Sequence, residues 1–232
     1  MKKELVKLTL YGIEKEAILL EKYYKAKKKT RINKRNIEII IVKKEGKNME
    51  NNKQEFINNI EKFFNNKDKG ILVTGTHQYE KHKLIMAIID RNFKNAKVLF
   101  RTNSMYNIQN REFVGWTGLK KKTIKSGEKV KIGRNFYEFD TFNTTNTWNR
   151  TSSNFDFAIV YPIDSMIREN KFDGIDNLYT NKDIKKIFLV SWTDRKSYDY
   201  EKISKYYNEH IIYDAKEEDE EYHRRVLNII NE

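Results

Sequence analysis

A chain of 232 residues with 38 % apolar residues, 14 Tyr and 13 Phe is long enough to close one aromatic-rich core beneath a heavily charged surface. The absence of cysteine excludes disulfides, thiolate metal sites and cysteine nucleophiles, and the histidines at 77, 82, 210 and 223 have no HExxH or comparable zinc spacing. The net charge of +13 invites a nucleic-acid partner, but residues 1–48 hold 15 Lys or Arg against 6 Glu, so most of the excess is an N-terminal property.

No apolar run approaches the length of a membrane span, and the first residues, MKKELVKLTLYGIEKE, carry acids where a signal peptide has its apolar region. The expectation is a cytoplasmic protein with no membrane partner. Ile13, Ala17, Leu20 and Tyr24 recur at helical spacing and lead into a basic run. In that run Lys27, Lys28, Lys29, Arg31, Lys34 and Arg35 are the candidate nucleic-acid contacts, because clustered cations release counterions from a phosphate backbone without reading bases. The plainer reading is a solvated basic arm. A strand is expected over 37–42, and the polar stretch 43–53 reads as a linker, which divides the chain into a basic N-terminal extension, 1–48, and an α/β domain, 49–232. Lys44-Glu45-Gly46 back-translates to a purine-rich ribosome-binding sequence just before Met49. Met49 is therefore a second candidate start, which would remove the extension from the protein.

Phe56, Ile60, Phe63 and Phe64 predict a helix, Ile71 to Val73 a short buried strand, and Leu84 to Ile89 a helix that is apolar almost all round. Between the last two, Gly75-Thr76-His77-Gln78-Tyr79-Glu80-Lys81-His82 resembles the phosphate-binding loop of P-loop NTPases, G-x-x-x-x-G-K-[ST], with Gly75 and Lys81 in place. The resemblance implies ATP or GTP with Mg²⁺ as cofactor, held by Gly75, Thr76, Lys81 and His82. Two positions depart from the frame. Glu80 replaces the second glycine and brings a negative charge towards an anion, and His82 replaces the Ser or Thr that would ligate Mg²⁺. If these departures silence the loop, no cofactor is expected; Gly75 then serves a turn and Lys81 is a solvated first-turn residue.

Ala96 to Phe100 predicts a second strand, and a strand, helix and strand of this length imply a parallel crossover with Arg101 to Ser104 at the ligand-binding end. Val130 and Ile132, the turn at Gly133-Arg134-Asn135, and Tyr137, Phe139 and Thr141 predict an inserted β-hairpin. Trp116 and Trp148 are able to stack on single-stranded bases, although anchoring a loop to the core is the commoner role of such residues. The strand Phe155 to Val160 stands where a Walker B segment would, with Tyr161-Pro162 in place of its acidic pair. Asp164 and Asp156 remain as candidate catalytic carboxylates, Asp164 also as a metal ligand; the bland alternative makes Asp164 a helix cap. Ile187 to Asp194 resembles the sensor strand of the additional-strand class of P-loop ATPases, which puts Ser191 and Arg195, with Thr193 and Asp194, near a γ-phosphate. A helix through Tyr200, Ile203 and Tyr207, a strand at 211–213 and a final helix through Tyr222, Val226, Leu227 and Ile230 follow. The acidic run 217–221 complements that last helix's dipole.

The element order predicts a three-layer α/β sandwich with a mostly parallel five-stranded sheet, P-loop NTPase-like, plus the inserted hairpin. No G-x-G-x-x-G follows the first strand, which disfavours a dinucleotide site; a flavodoxin-like use of Thr74 and Thr76 fits the fold alone. Two damaged motifs favour a catalytically degenerate binding or interaction protein, associated with nucleic acid or a protein partner and of phage, plasmid or defence-system origin. The competing readings are an active nucleotide-dependent ATPase acting on DNA or RNA, and a metal-dependent nuclease using Glu138, Asp140 and Asp156.

Overall fold

The computed structural model describes residues 53–119 and 123–231. The basic run with Lys27, Lys28, Lys29, Arg31, Lys34 and Arg35, the expected strand at 37–42 and Lys120 to Lys122 lie outside the described residues.

Among the described residues seven strands form one sheet: β1 (Gly70–Thr74), β2 (Lys97–Thr102), β3 (Val130–Ile132), β4 (Asn135–Thr141), β5 (Asn154–Val160), β6 (Asp183–Val190) and β7 (Glu209–Ile212), in the order β3-β4-β2-β5-β6-β1-β7. Every pairing is parallel except that of β3 with β4. Thus β1 is flanked by β6 and β7, and β6 lies between β1 and β5.

Strand alternation sends successive side chains to opposite faces, and both faces are covered. Ile71, Val73, Val98, Phe100, Phe188 and Val190 meet Phe56, Ile60 and Phe63 of α1 (Lys53–Asn65) and Ile85 and Ile89 of α2 (Lys81–Asn92). On the other face Leu72, Leu99, Ala158, Ile187 and Leu189 meet Met166 and Ile167 of α4 (Asp164–Glu169), which follows the short α3 (Thr145–Trp148) in the chain. Ile175 and Leu178 of α5 (Asp173–Thr180) and Ile203 of the 3₁₀ turn Tyr200–Tyr206 complete that layer. The last described helix is α6 (Glu220–Asn231), of which only Val226 is buried, while Leu227 stays on the exposed side.

The three layers and the parallel sheet agree with expectation; the count of five strands does not. The hairpin is part of the sheet, because β4 pairs with β2 over its whole length from Lys97 against Phe136 to Thr102 against Thr141. It reads as a half-buried hairpin because Glu138 and Asp140 interrupt its apolar residues, yet both carboxylates are buried against partners. Asp140 receives a two-pronged ion pair from its cross-strand neighbour Arg101, at 2.7 Å from Nε and 2.6 Å from Nη2. The Arg101 guanidinium also donates to the Gly174 carbonyl at 2.6 Å and to Asn177 Oδ1 at 3.1 Å, which pins β2 and β4 to α5. Trp148 donates Nε1–H to the Thr141 carbonyl at 2.6 Å and lies against Arg101, the anchoring role rather than a stacking platform.

Candidate functional site

Parallel α/β sheets collect their sites where the chain leaves the carboxyl ends of neighbouring strands. Here the segments leaving β1, β6 and β7 converge on Gly75 and Lys81. Gly75 has φ +117°, and a Cβ there would lie 2.2 Å from the Tyr213 carbonyl oxygen, so glycine is required by both conformation and the close passage of the segment after β7.

Several polar groups of this loop are engaged within the protein. Gly75 N–H donates to Asp194 Oδ2, and Thr76 N–H donates to Asp214 Oδ1 at 2.8 Å. His77 N–H donates to the Tyr213 carbonyl at 3.3 Å and Gln78 N–H to the Thr76 carbonyl at 2.8 Å. Thr76 Oγ1 accepts from Ala215 N–H at 2.9 Å and lies 2.7 Å from His223 Nδ1. Lys81 is 0 % exposed. Its ammonium donates to the Gly75 carbonyl and, at 3.3 Å, to the Trp192 carbonyl, and lies 3.9 Å from Asp194 Oδ2. Burial pulls the Lys81 pKa below the usual lysine value, against the pull of Asp194, Asp164 and Asp214, which all favour its charge.

Asp194 is the hub of this arrangement. Beyond Gly75 and Lys81 it accepts from the Tyr200 hydroxyl at 2.7 Å on its other oxygen. The segment that carries it is held in turn by Asp164, whose carboxylate accepts from the amides of Trp192 and Thr193, both at 2.6 Å. Asp164 is therefore a clamp on the end of β6 and not the helix cap; the cap position of α4 is Ile163, which has no side-chain bond to give. Burial raises Asp164 to about 6 even though those two amides favour its charge. Thr193 Oγ1 accepts from Gln78 Nε2 at 3.0 Å, adding a further tie between the segment and the loop.

The other sequence candidates fall in different places. His82 is fully buried in α2, stacked on Tyr161 with ring centroids 3.9 Å apart, and its Nε2 lies 2.9 Å from the Phe113 carbonyl. Burial lowers its pKa to about 3, so it is neutral and faces the core. Glu80 turns outward to Lys83, 2.8 Å away, and does not enter the loop. Ser191 is buried, and its amide donates to the Val73 carbonyl at 3.0 Å; Arg195 is exposed in the turn beyond it. Asp156 does not join the site: it sits near the amino end of β5, where it accepts from Lys97 N–H at 2.9 Å and Lys185 Nζ at 2.7 Å, at the opposite end of the sheet from Gly75. Glu138 accepts from the Ser152 amide and hydroxyl at 2.7 and 2.6 Å, so it and Asp140 are both committed to the scaffold. Among the described residues no group of three or more His, Asp or Glu is placed to hold a metal ion, and no helix is long and apolar enough to cross a membrane.

The residues missed by sequence reasoning are Asp214, Tyr200 and His223. Asp214 directly follows the apolar stretch expected as a strand at 211–213, after which a ligand-facing residue is expected, so its position alone was a usable signal; Tyr200 and His223 carry none.

A nucleotide with Mg²⁺ does not fit the residues as they are arranged. The ammonium is enclosed, Gly75 and Thr76 amides face carboxylates, and His82 offers no oxygen to a cation that prefers oxygen. Three carboxylates within electrostatic reach of one ammonium also leave the pocket hostile to an incoming anion.

No protein-family model and no curated protein sequence matches the chain. Among solved structures, the large terminase from a thermophilic bacteriophage is similar at a TM-score of 0.42 and 8 % identity, over 64 % of this chain. The chain spans 41 % of the length of that protein.

Proposed function

We propose that this chain is a P-loop-like domain that binds or bridges partners without hydrolysing nucleotide, and that Lys27, Lys28, Lys29, Arg31, Lys34 and Arg35 attach it to nucleic acid. The observation that carries the first part is the enclosed Lys81 ammonium, spent on the Gly75 and Trp192 carbonyls and on Asp194. Phosphoryl transfer needs a lysine free to meet phosphate, an oxygen ligand for Mg²⁺ and a carboxylate near it. Here the lysine is enclosed, the Ser or Thr position is a core histidine, and Asp164 holds two amides. The P-loop-like ancestry is supported by the strand order, in which β6 separates β1 from β5 as in the additional-strand class. The nucleic-acid part rests on the charge of residues 1–48.

Two assays test the reading. In the first, Mg²⁺-dependent ATP and GTP hydrolysis by the full chain stays at the level of the Lys81→Ala variant; turnover that the variant abolishes would make the protein an ATPase. In the second, oligonucleotide affinity falls steeply with salt, with a log–log slope of about −5 on duplex DNA if six phosphates are neutralised. The chain beginning at Met49 loses that slope, and equal slopes for both chains would remove the basic run from the interface.

A further inference from the structure

The Asp194 side chain occupies the position in the loop where charge complementarity calls for an anion. Its Oδ2 takes the Gly75 amide proton and faces the Lys81 ammonium, and its Oδ1 takes the Tyr200 hydroxyl proton at 2.7 Å. The three donors come from a loop, a helix and a 3₁₀ turn, and they converge on one carboxylate. The cation among them is entirely enclosed, whereas Asp194 itself is 15 % exposed, so the carboxylate is the side of the pair that opens to solvent.

We propose that Asp194 is a built-in counter-anion filling an oxyanion site formed by Gly75 N–H, Lys81 Nζ and Tyr200 Oη, and that a phosphate-type oxyanion enters this site once the carboxylate is removed. The inference deepens the non-hydrolysing reading above and rests on it in one respect, since it explains why the natural chain leaves the site closed. A carboxylate and a phosphate present the same kind of acceptor oxygen to N–H and N⁺–H donors, which is why one is able to stand in for the other. The neighbouring acceptors set the limits. Asp214 keeps the Thr76 amide, and Asp164 keeps the amides of Trp192 and Thr193, so the opened site offers few donors and suits one small oxyanion group.

The test is a thermal melt of the full chain as wild type, Asp194→Ala and Asp194→Ala/Lys81→Met. Each is measured in chloride, in inorganic phosphate and in ATP at matched ionic strength, with ATP also tested with Mg²⁺. The single variant melts below wild type in chloride because the buried ammonium has lost its partner. Inorganic phosphate then raises its melting temperature saturably, by about 5–10 °C at a concentration on the order of 100 times Kd. Wild type and the double variant respond to phosphate no more than to chloride. A single variant that gains nothing from phosphate beyond the wild-type response overturns the inference and leaves the non-hydrolysing reading intact. Stabilisation of the wild type by ATP with Mg²⁺ shows the loop open to nucleotide in the natural chain and overturns the inference, whereas hydrolysis above the Lys81→Ala level is what overturns the non-hydrolysing reading. ATP acting on the single variant while inorganic phosphate does not would assign the site to a nucleotide's phosphates rather than free phosphate and overturn the small-anion form proposed. Should Asp194→Ala fail to fold in chloride, its folded yield on refolding is compared in phosphate and chloride: recovery in phosphate supports the site, and equal failure overturns it.

Discussion

Replacing Lys81 by methionine keeps most of the side chain's bulk and removes its charge, which leaves Asp194 and the Gly75 and Trp192 carbonyls without their cation. At 3.9 Å from Asp194 Oδ2 the ammonium is worth about 4 kcal/mol of attraction at an effective dielectric of ~20. Breaking a buried pair from one side costs about 3–5 kcal/mol, because the surviving charge stays in a poor solvent. For a domain of this size that corresponds to a fall in melting temperature of about 6–20 °C. The assay is urea unfolding followed by tryptophan fluorescence, with the midpoint shifting and the slope unchanged. A second variant, Lys81→Met/Asp194→Asn, recovers a good part of the loss, since both charges are then gone; the non-additivity reports the coupling directly. A solvated first-turn lysine would behave differently, changing stability by no more than about 0.5 kcal/mol. That result, with additive single and double variants, would refute the enclosed ion pair and return Lys81 to the pool of free anion ligands.

The same logic assigns Asp140 to the scaffold. Asp140→Asn strands the fully buried Arg101 guanidinium and costs about 3–5 kcal/mol in urea unfolding, while Arg101→Met/Asp140→Leu restores most of it; a neutral Asp140→Asn would reopen a metal-binding role. His82 makes the fold acid-sensitive. Its pKa falls from 6.5 to about 3 on folding, so the stability it supports is present above its unfolded value and lost as pH falls from ~6.5 towards ~3, on the order of 5 kcal/mol in all. Asp164, raised to about 6, acts with the opposite sign: its contribution is present below the ordinary carboxylate value and lost as pH rises through ~6. The difference between wild type and His82→Gln in acid unfolding therefore isolates the histidine, with the variant losing less stability than wild type between pH ~6 and ~4; parallel curves would contradict its burial as a neutral ring.

Much of the fold was legible because its central strands are uninterrupted apolar runs: Ile71 to Val73, Val98 to Phe100, Phe157 to Val160 and Ile187 to Val190 are buried on both faces, as parallel strands must be. β4 was expected as an arm of an inserted hairpin, but its place beside β2 in the parallel sheet was not legible, because its burial of Glu138 and Asp140 depends on Ser152 and Arg101, partners that a pattern of apolar residues does not reveal. The helix expected through Tyr200, Ile203 and Tyr207 is a 3₁₀ turn, a distinction between i+3 and i+4 bonding to which spacing is nearly blind. In the loop, Gly75 and Lys81 were legible as a frame, and the outward turn of Glu80 follows from Lys83 three residues on. What the loop holds was not legible. The resemblance placed Asp194 near the loop as a neighbour of a γ-phosphate; that its carboxylate is itself the anion beside Lys81 is what the residue types do not reveal. The same holds for Asp164, which looks like a cap by residue type but is drawn to the amides at the end of β6.

The most direct measurement is a thermal titration of the full wild-type chain with ATP, GTP and ADP, each with and without Mg²⁺, beside Lys81→Ala. The closed loop predicts no nucleotide-specific rise in melting temperature for either protein, with the variant melting lower throughout. A saturable rise with one nucleotide in the wild type, absent from Lys81→Ala, would contradict it and establish the loop as a working nucleotide site.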